Sequence, residues 1–467
     1  MLHKKPKIFY NFEKFFSFLI FKQSPTNLGY GLIVLISMLF VSIFFLTACA
    51  KTNLGYKKYN EKYLYLKKIS KDKNIHKFLD IYWKTPINEG IPPRKWPKLQ
   101  KSLSPSSCMV CHYDQYAEWK ESRMAHSMDA GVVGQLLLKK MTSKHWKTWV
   151  NSCLSCHSPL AEYYIKHNKY KGLDKKEKSI LQHGTKEKKA MVIALNALKI
   201  PMGKGDLSVS CAACHVRYYH RFGPDIKKYM RQGKIAHGGF IPTRAFTKSY
   251  FCIKCHQLPS DNRRLKGKLF ENTYYEWKNS IYAKKGISCE TCHTPNGSMA
   301  FKSIYNKNFV LKAITVHLKK IKIYSNKIHT TLSLTNSGVG HDFPTYTTPK
   351  VILNIAQEKT GGNIIKNSIK RYIIGWGVSL NLQKQHFDTR LKPFQTAKLI
   401  YDYPVFNDSK YLKAWITVEP ESHYIRFFKA LLKIKRLPKI INILFSKALR
   451  EDINSKYLLW ERKRQIY

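Results

Sequence analysis

Hydrophobic residues follow three different patterns along the chain. Positions 32–46 are almost purely apolar. Between 105 and 300 the apolar residues come in short clusters cut apart by Pro and Gly, a pattern that predicts short helices rather than long amphipathic ones. Beyond that the period drops to two. Apolar residues alternate over 316–324, 328–335 and 351–355, bounded by Asn336-Ser337-Gly338 and Gly361-Gly362, and the alternation returns over 414–418. Period two with β-branched residues predicts strands with one wet face, and the expectation is a β-sandwich over 310–425. The tail, 426–467, is expected to form two basic amphipathic helices split by Pro438. Residues 50–104 are rich in Lys and Tyr and broken by Pro86, Pro92, Pro93 and Pro97, which predicts a linker. The fold class expected is α+β, a mostly helical N-terminal part followed by a β-sandwich.

With 44% hydrophobic residues the chain is not of disordered composition. Lys and Arg number 82 against 29 Asp and Glu, a formal net charge of +53. No nucleic-acid motif accompanies that charge. The expected partners are acidic redox proteins and an anionic membrane surface, since a strong field raises encounter rates.

Ten of the eleven cysteines change the picture. They form five pairs, each two residues apart and each followed at once by histidine: Cys108, Cys111 and His112; Cys153, Cys156 and His157; Cys211, Cys214 and His215; Cys252, Cys255 and His256; Cys289, Cys292 and His293. Cys-x-x-Cys alone fits zinc sites and dithiol enzymes. A histidine after every pair, five times over, fits neither. It fits c-type haem attachment, in which two thioethers hold the porphyrin and the adjacent imidazole binds iron. Five motifs within 108–293 leave little sequence for an aliphatic core, so a haem-packed pentahaem domain is expected over 105–300, carrying five covalently bound haem c groups. Thirteen of the eighteen histidines remain to fill sixth positions.

The N-terminus agrees with export. Lys4, Lys5, Lys7, Lys14 and Lys22 precede the apolar run, and Leu46-Thr47-Ala48-Cys49 has the form of a lipobox. Residues 1–49 are read as a signal peptide with Cys49 lipidated, or as an uncleaved N-terminal membrane anchor. The expected location is the periplasmic side of a membrane, or the outer membrane as a lipoprotein.

Several segments give the chain a family likeness. Tyr116-Ala117-Glu118-Trp119 leads through Ser122 to His126. Val216-Arg217 and Arg221-Phe222-Gly223-Pro224 follow the third motif. Ser249-Tyr250-Phe251 precedes the fourth, and Glu276-Trp277 with Ser280 runs into the fifth. Gly340-His341-Asp342-Phe343-Pro344-Thr345 and Asp388-Thr389-Arg390-Leu391 lie further on. In these blocks, over about 105–430, the chain resembles the cytochrome c-554-like multihaem family related to hydroxylamine oxidoreductases. The resemblance implies His126 and His341 as distal iron ligands, His341 reaching a haem from the β-domain. His237 and His183, each beside glycine, are further candidates. Two positions depart from the family pattern: Tyr282 stands where a histidine is usual, and Tyr346 where glycine is. The functional expectation is an exported, membrane-anchored pentahaem cytochrome transferring electrons in a respiratory chain. Its rivals are a multihaem oxidoreductase with one open haem, for which Tyr282 is a candidate group, and a cytochrome subunit of a larger complex.

Overall fold

The computed structural model describes residues 61–71, 74–202, 207–225 and 236–466, together with Met38. Cys49, the rest of the lipobox and the basic leader lie outside the described residues. Two units divide the chain, Met1–Tyr65 and Leu66–Tyr467. In the first, residues 61–65 are helical. No helix among the described residues is long and apolar enough to cross a membrane. The second unit carries all five motifs and is α+β.

One aliphatic core of its helical part is built around three helices. Helices α1 (Ala130–Thr142), α2 (Trp146–His157) and α3 (Lys186–Leu198) bury Val133 and Leu136, Val150 and Leu154, and Leu195 and Leu198. Asp129 starts α1 by accepting the Val132 N–H at 3.0 Å, and Thr185 does the same for α3 through Lys188. The rest of this core comes from the far end of the sequence. Helices α4 (Ser422–Leu431) and α5 (Lys439–Asn454) insert Phe428, Ile441, Leu444 and Phe445 among those residues. Two glycines on α1 permit that approach. A Cβ on Gly131 would lie 2.8 Å from Phe428 Cζ, and one on Gly134 would lie 2.7 Å from Phe445 Cε1. The tail forms the two amphipathic helices expected on either side of Pro438, and their apolar faces are the second half of this core.

The β-part is two packed antiparallel sheets. Its strands are β1 (Ile314–Leu318), β2 (Lys322–Tyr324), β3 (Lys327–Asn336), β4 (Lys350–Glu358), β5 (Lys370–Val378), β6 (Gln385–Asp388), β7 (Thr396–Pro404), β8 (Tyr411–Glu419) and β9 (Tyr457–Gln465). One sheet has the order β6-β5-β4-β8-β9; the other is β7-β3-β1, with β2 also paired to β3. Alternation sets the register: Leu332 and Leu334 of β3 oppose Leu399 and Ala397 of β7, all buried, while Ser333 and Lys398 face out. Leu412, Ala414, Ile416 and Val418 of β8 close the core from the other sheet.

Two expected boundaries move. The sheet does not end near 425, because the chain leaves β8, builds α4 and α5, and returns as the edge strand β9, pairing Tyr411 with Gln465 and Val418 with Tyr457. Residues 50–104 are not all linker, because a helix at Ile75–Tyr82 buries Phe78, Leu79 and Tyr82. Its Tyr82 hydroxyl donates to the Cys214 carbonyl at 2.6 Å, which ties it to the third motif. An exposed-looking Lys/Tyr composition hid three apolar contacts made only in the tertiary fold.

The tail's role in the core is testable. Phe445→Ala is expected to lower the unfolding free energy by about 3–5 kcal/mol, read from the denaturant midpoint of the full chain; a loss below about 1 kcal/mol would mean that α5 is not core.

Candidate haem sites

Each Cys-x-x-Cys-His segment forms or closes a single helical turn. Cys108 O accepts from Cys111 N at 3.1 Å and from His112 N at 2.9 Å. The Cys252 carbonyl accepts likewise from Cys255 at 3.2 Å and His256 at 3.0 Å. The second motif is the last turn of α2, and the third and fifth are the short helices Cys211–His215 and Cys289–His293. A helical turn puts residues three apart on one side, so both thiols of a pair face the same way with histidine next to them. All ten thiols are free.

The histidines are oriented for a metal. His157 Nδ1 lies 2.7 Å from Ser127 O, His215 Nδ1 2.8 Å from Phe222 O, and His293 Nδ1 2.6 Å from Lys302 O. His256 Nδ1 lies 2.6 Å from the Tyr346 hydroxyl. A ring whose Nδ1–H is committed to an acceptor presents Nε2 as a lone pair, the arrangement metal-binding imidazoles adopt.

One expected distal candidate faces a motif histidine, and a second lies near another. The rings of His293 and His341 are nearly parallel, 12° apart, with centroids separated by 6.4 Å. Two metal–nitrogen bonds of about 2.0–2.1 Å plus the two ring radii give roughly 6.3–6.5 Å, so the pair has the spacing of imidazoles on opposite sides of one metal atom. His341 Nδ1 is occupied by Asp342 O at 2.9 Å. Burial, and then the nearby His293 and His256, push its pKa down to about 4, so the ring stays neutral as a ligand must. His237 has its Nδ1 on Gly239 O at 3.1 Å, its N–H donating to Gln100 Oε1 at 3.0 Å, and left-handed φ of 43°. Burial lowers its pKa first, then Arg221, with His112 also contributing, which places it beside the first motif's histidine. His126 is exposed in the turn whose next residue, Ser127, holds His157, and His183 is exposed at the end of the helix Lys175–His183.

The loop bearing His341 is clamped by a buried ionic node that sequence reasoning did not identify. Glu276 Oε2 accepts from Asp342 N at 3.2 Å and from the Thr345 hydroxyl at 2.7 Å. Arg390 Nη1 donates to Glu276 Oε1 at 3.3 Å and to Thr345 O at 2.8 Å, while its other nitrogens hold Asp388 at 2.9 Å. Burial, followed by the charge of Asp342, pushes the Glu276 pKa up to about 7 against the pull of Arg390. Beneath the loop, Asn336 Nδ2 donates to the carbonyls of His341 and Leu391. The Tyr282 hydroxyl donates to Ser337 O at 2.9 Å and its ring stacks on Phe394, so it packs the same corner.

The motifs also adjoin one another. Cys156 Sγ lies 3.8 Å from Lys254 O, inside the fourth motif, and Cys289 N donates to the Ser249 hydroxyl, just before that motif, at 3.0 Å. The thiols of Cys108 and Cys211 perturb one another, as Cys214 perturbs those of Cys252 and Cys255. The fourth motif thus adjoins the second and fifth and lies near the third, which lies near the first.

Haem fits these residues on a further ground. Arg217, only 3% exposed beside the third motif, spends three bonds on the carbonyls of Tyr82, Ala213 and Val216, yet its Nη2 has no partner among the described residues. The Trp83 Nε1–H, also buried, has none among them either, and the guanidinium lies 5.0 Å from that indole ring. Unpaired buried donors are costly, and a porphyrin carboxylate would satisfy both.

Comparison with known proteins agrees at a coarse level. Residues 135–306, less than half of the chain but containing four of the five motifs, match the family profile of outer membrane cytochrome MtrC/MtrF-like proteins, domains II/IV. No curated protein matches. A penta-heme cytochrome c552 from Thermochromatium tepidum aligns with 79% of this chain and 100% of its own, at 15% identity and a TM-score of 0.48. The family match supports a multihaem cytochrome with covalently bound haem.

The ionic node yields a prediction. Arg390→Met leaves Glu276 and Asp342 without the guanidinium that faces them, and Asp388 with Lys268 alone, and is expected to cost about 3–5 kcal/mol of stability at neutral pH. Burial raises the carboxyl pKa of Glu276 and of Asp342, so the deficit should shrink as pH falls and these groups take up protons. Unfolding curves at pH 5 and pH 7.5 would check this; an equal deficit at both refutes the electrostatic account.

Proposed function

We propose that this chain is an exported pentahaem c-type cytochrome that transfers electrons in a respiratory chain while anchored to a membrane. The observation carrying the proposal is the set of five one-turn Cys-x-x-Cys-His segments, four with the histidine Nδ1 already committed, one of them opposed by His341 at metal-bridging distance. Cys108, Cys111, Cys153, Cys156, Cys211, Cys214, Cys252, Cys255, Cys289 and Cys292 would form the thioethers. His112, His157, His215, His256 and His293 would be the proximal ligands, with His341 and His237 opposite the fifth and first motifs. Bound haem supplies one-electron chemistry at iron. The chain's own part is to hold each imidazole, close the sixth positions and set neighbouring motifs within touching distance.

The proximity of the motifs favours a carrier, because the first neighbours the third, the third the fourth, and the fourth both the second and the fifth. Tyr282 spends its hydroxyl on a main-chain carbonyl, which does not favour it as the acid of an enzymatic site. The net charge of +53 suits an acidic redox partner. The outer-membrane family likeness supports an exported location. Since α4 and α5 spend their apolar faces on the core, the anchor falls to the N-terminus through lipidated Cys49 or the apolar run before it.

Two measurements test the reading. The mass of the protein matured in a cytochrome-c-competent host should exceed that of its polypeptide by five haems, and the reduced protein should leave carbon monoxide unbound. A colourless product refutes the cytochrome, and carbon monoxide binding refutes the fully ligated carrier. His341→Ala should open one haem, adding a high-spin ferric signal in electron paramagnetic resonance and carbon monoxide binding at that haem alone.

A further inference from the structure

His256 differs from the other oriented motif histidines in what holds its outer nitrogen. His157, His215 and His293 use main-chain carbonyls, whereas His256 uses the phenol oxygen of Tyr346 at 2.6 Å. Tyr346 lies five residues after His341, so one loop of the β-part reaches two neighbouring motifs, the fifth through an imidazole and the fourth through a phenol. The Thr273 hydroxyl lies near that phenol. The Thr273 hydroxyl lies 2.9 Å from that of Thr345, which donates to Glu276 at 2.7 Å, and Glu276 is held by Arg390.

This chain of groups has one consistent direction. Binding iron through Nε2 leaves the proton of His256 on Nδ1, so the imidazole donates and the phenol oxygen accepts. The phenol proton then turns away from the imidazole, toward Thr273, while Thr345 donates to the Glu276 carboxylate and Thr273 donates to Thr345.

We propose that Tyr346 is a positioning residue that sets how strongly His256 donates to iron, and through it the reduction potential of the fourth haem. The inference rests on the pentahaem reading above. An acceptor on Nδ1–H raises the basicity of the imidazole, which favours ferric iron and lowers the potential. A phenol oxygen is a weaker acceptor than an amide carbonyl. The fourth haem is therefore set higher by this contact than a carbonyl partner would set it, and its motif lies between the second and the fifth. The nearby Thr273 hydroxyl favours a phenol proton turned away from the imidazole.

The test is a potentiometric titration of the matured full-length protein, resolved into its one-electron components, for Tyr346→Phe and Thr273→Val. Phenylalanine removes the acceptor and keeps the ring, so one component should move to higher potential, four should stay, and one low-spin resonance signal should shift. Thr273→Val keeps the phenol but removes the hydroxyl beside it, so the same component should move the same way by less. It carries the test alone if Tyr346→Phe does not mature. A variant with five haems by mass and no component moved, or with all five moved together, overturns the inference. A wild-type protein whose mass lacks five haems overturns the pentahaem reading instead.

Discussion

An imidazole serves a metal well only when its second nitrogen is held, and much of this fold is organised to hold it. The acceptors come from widely separated places: Ser127 in a turn before α1, Phe222 after the third motif, Lys302 beyond the fifth, and Tyr346 in the β-part. None lies within the motif it serves. Each single-turn segment has too few internal contacts to fix a ring by itself, so the surrounding chain supplies the constraint. Disturbing any of those acceptors would loosen a histidine without touching its motif.

The same logic accounts for where aliphatic packing is placed. The helical part concentrates its core between α1, α2, α3 and the returning helices α4 and α5. The first, third, fourth and fifth motifs lie away from it, among aromatic contacts such as His215 with Phe246 and Tyr82 with Phe222. The helix Ile75–Tyr82 and the third motif add Phe78, Leu79, Ala212 and Ala213 there. In the proposed holoprotein the porphyrins would supply further apolar surface, and Arg217 and Trp83 would be donors for their carboxylates.

The β-part is more than an appendage. The node of Glu276, Asp342, Asp388 and Arg390 joins it to the helix before the fifth motif, and the loop it clamps delivers His341 and Tyr346 to adjacent sites. Burying such a node is expensive in desolvation. What it gives in return is position: the loop stays where two imidazoles need it.

Much of this was legible before any coordinates. The haem motifs declare themselves by spacing, because covalent attachment demands two thiols three residues apart beside an imidazole, and that requirement is local. The strands β3, β7 and β8 were readable for a similar reason, since a one-sided sheet imposes period two on its own residues. His341 was visible through a family likeness and His237 through its glycine-flanked loop. By contrast, β9, the helix Ile75–Tyr82 and the core role of α4 and α5 depend on partners far along the chain, and so do Tyr346 on His256 and Arg390 on Glu276. Local stereochemistry writes itself into neighbouring positions. Contacts across a hundred residues leave no spacing to read, and only the closed fold decides them.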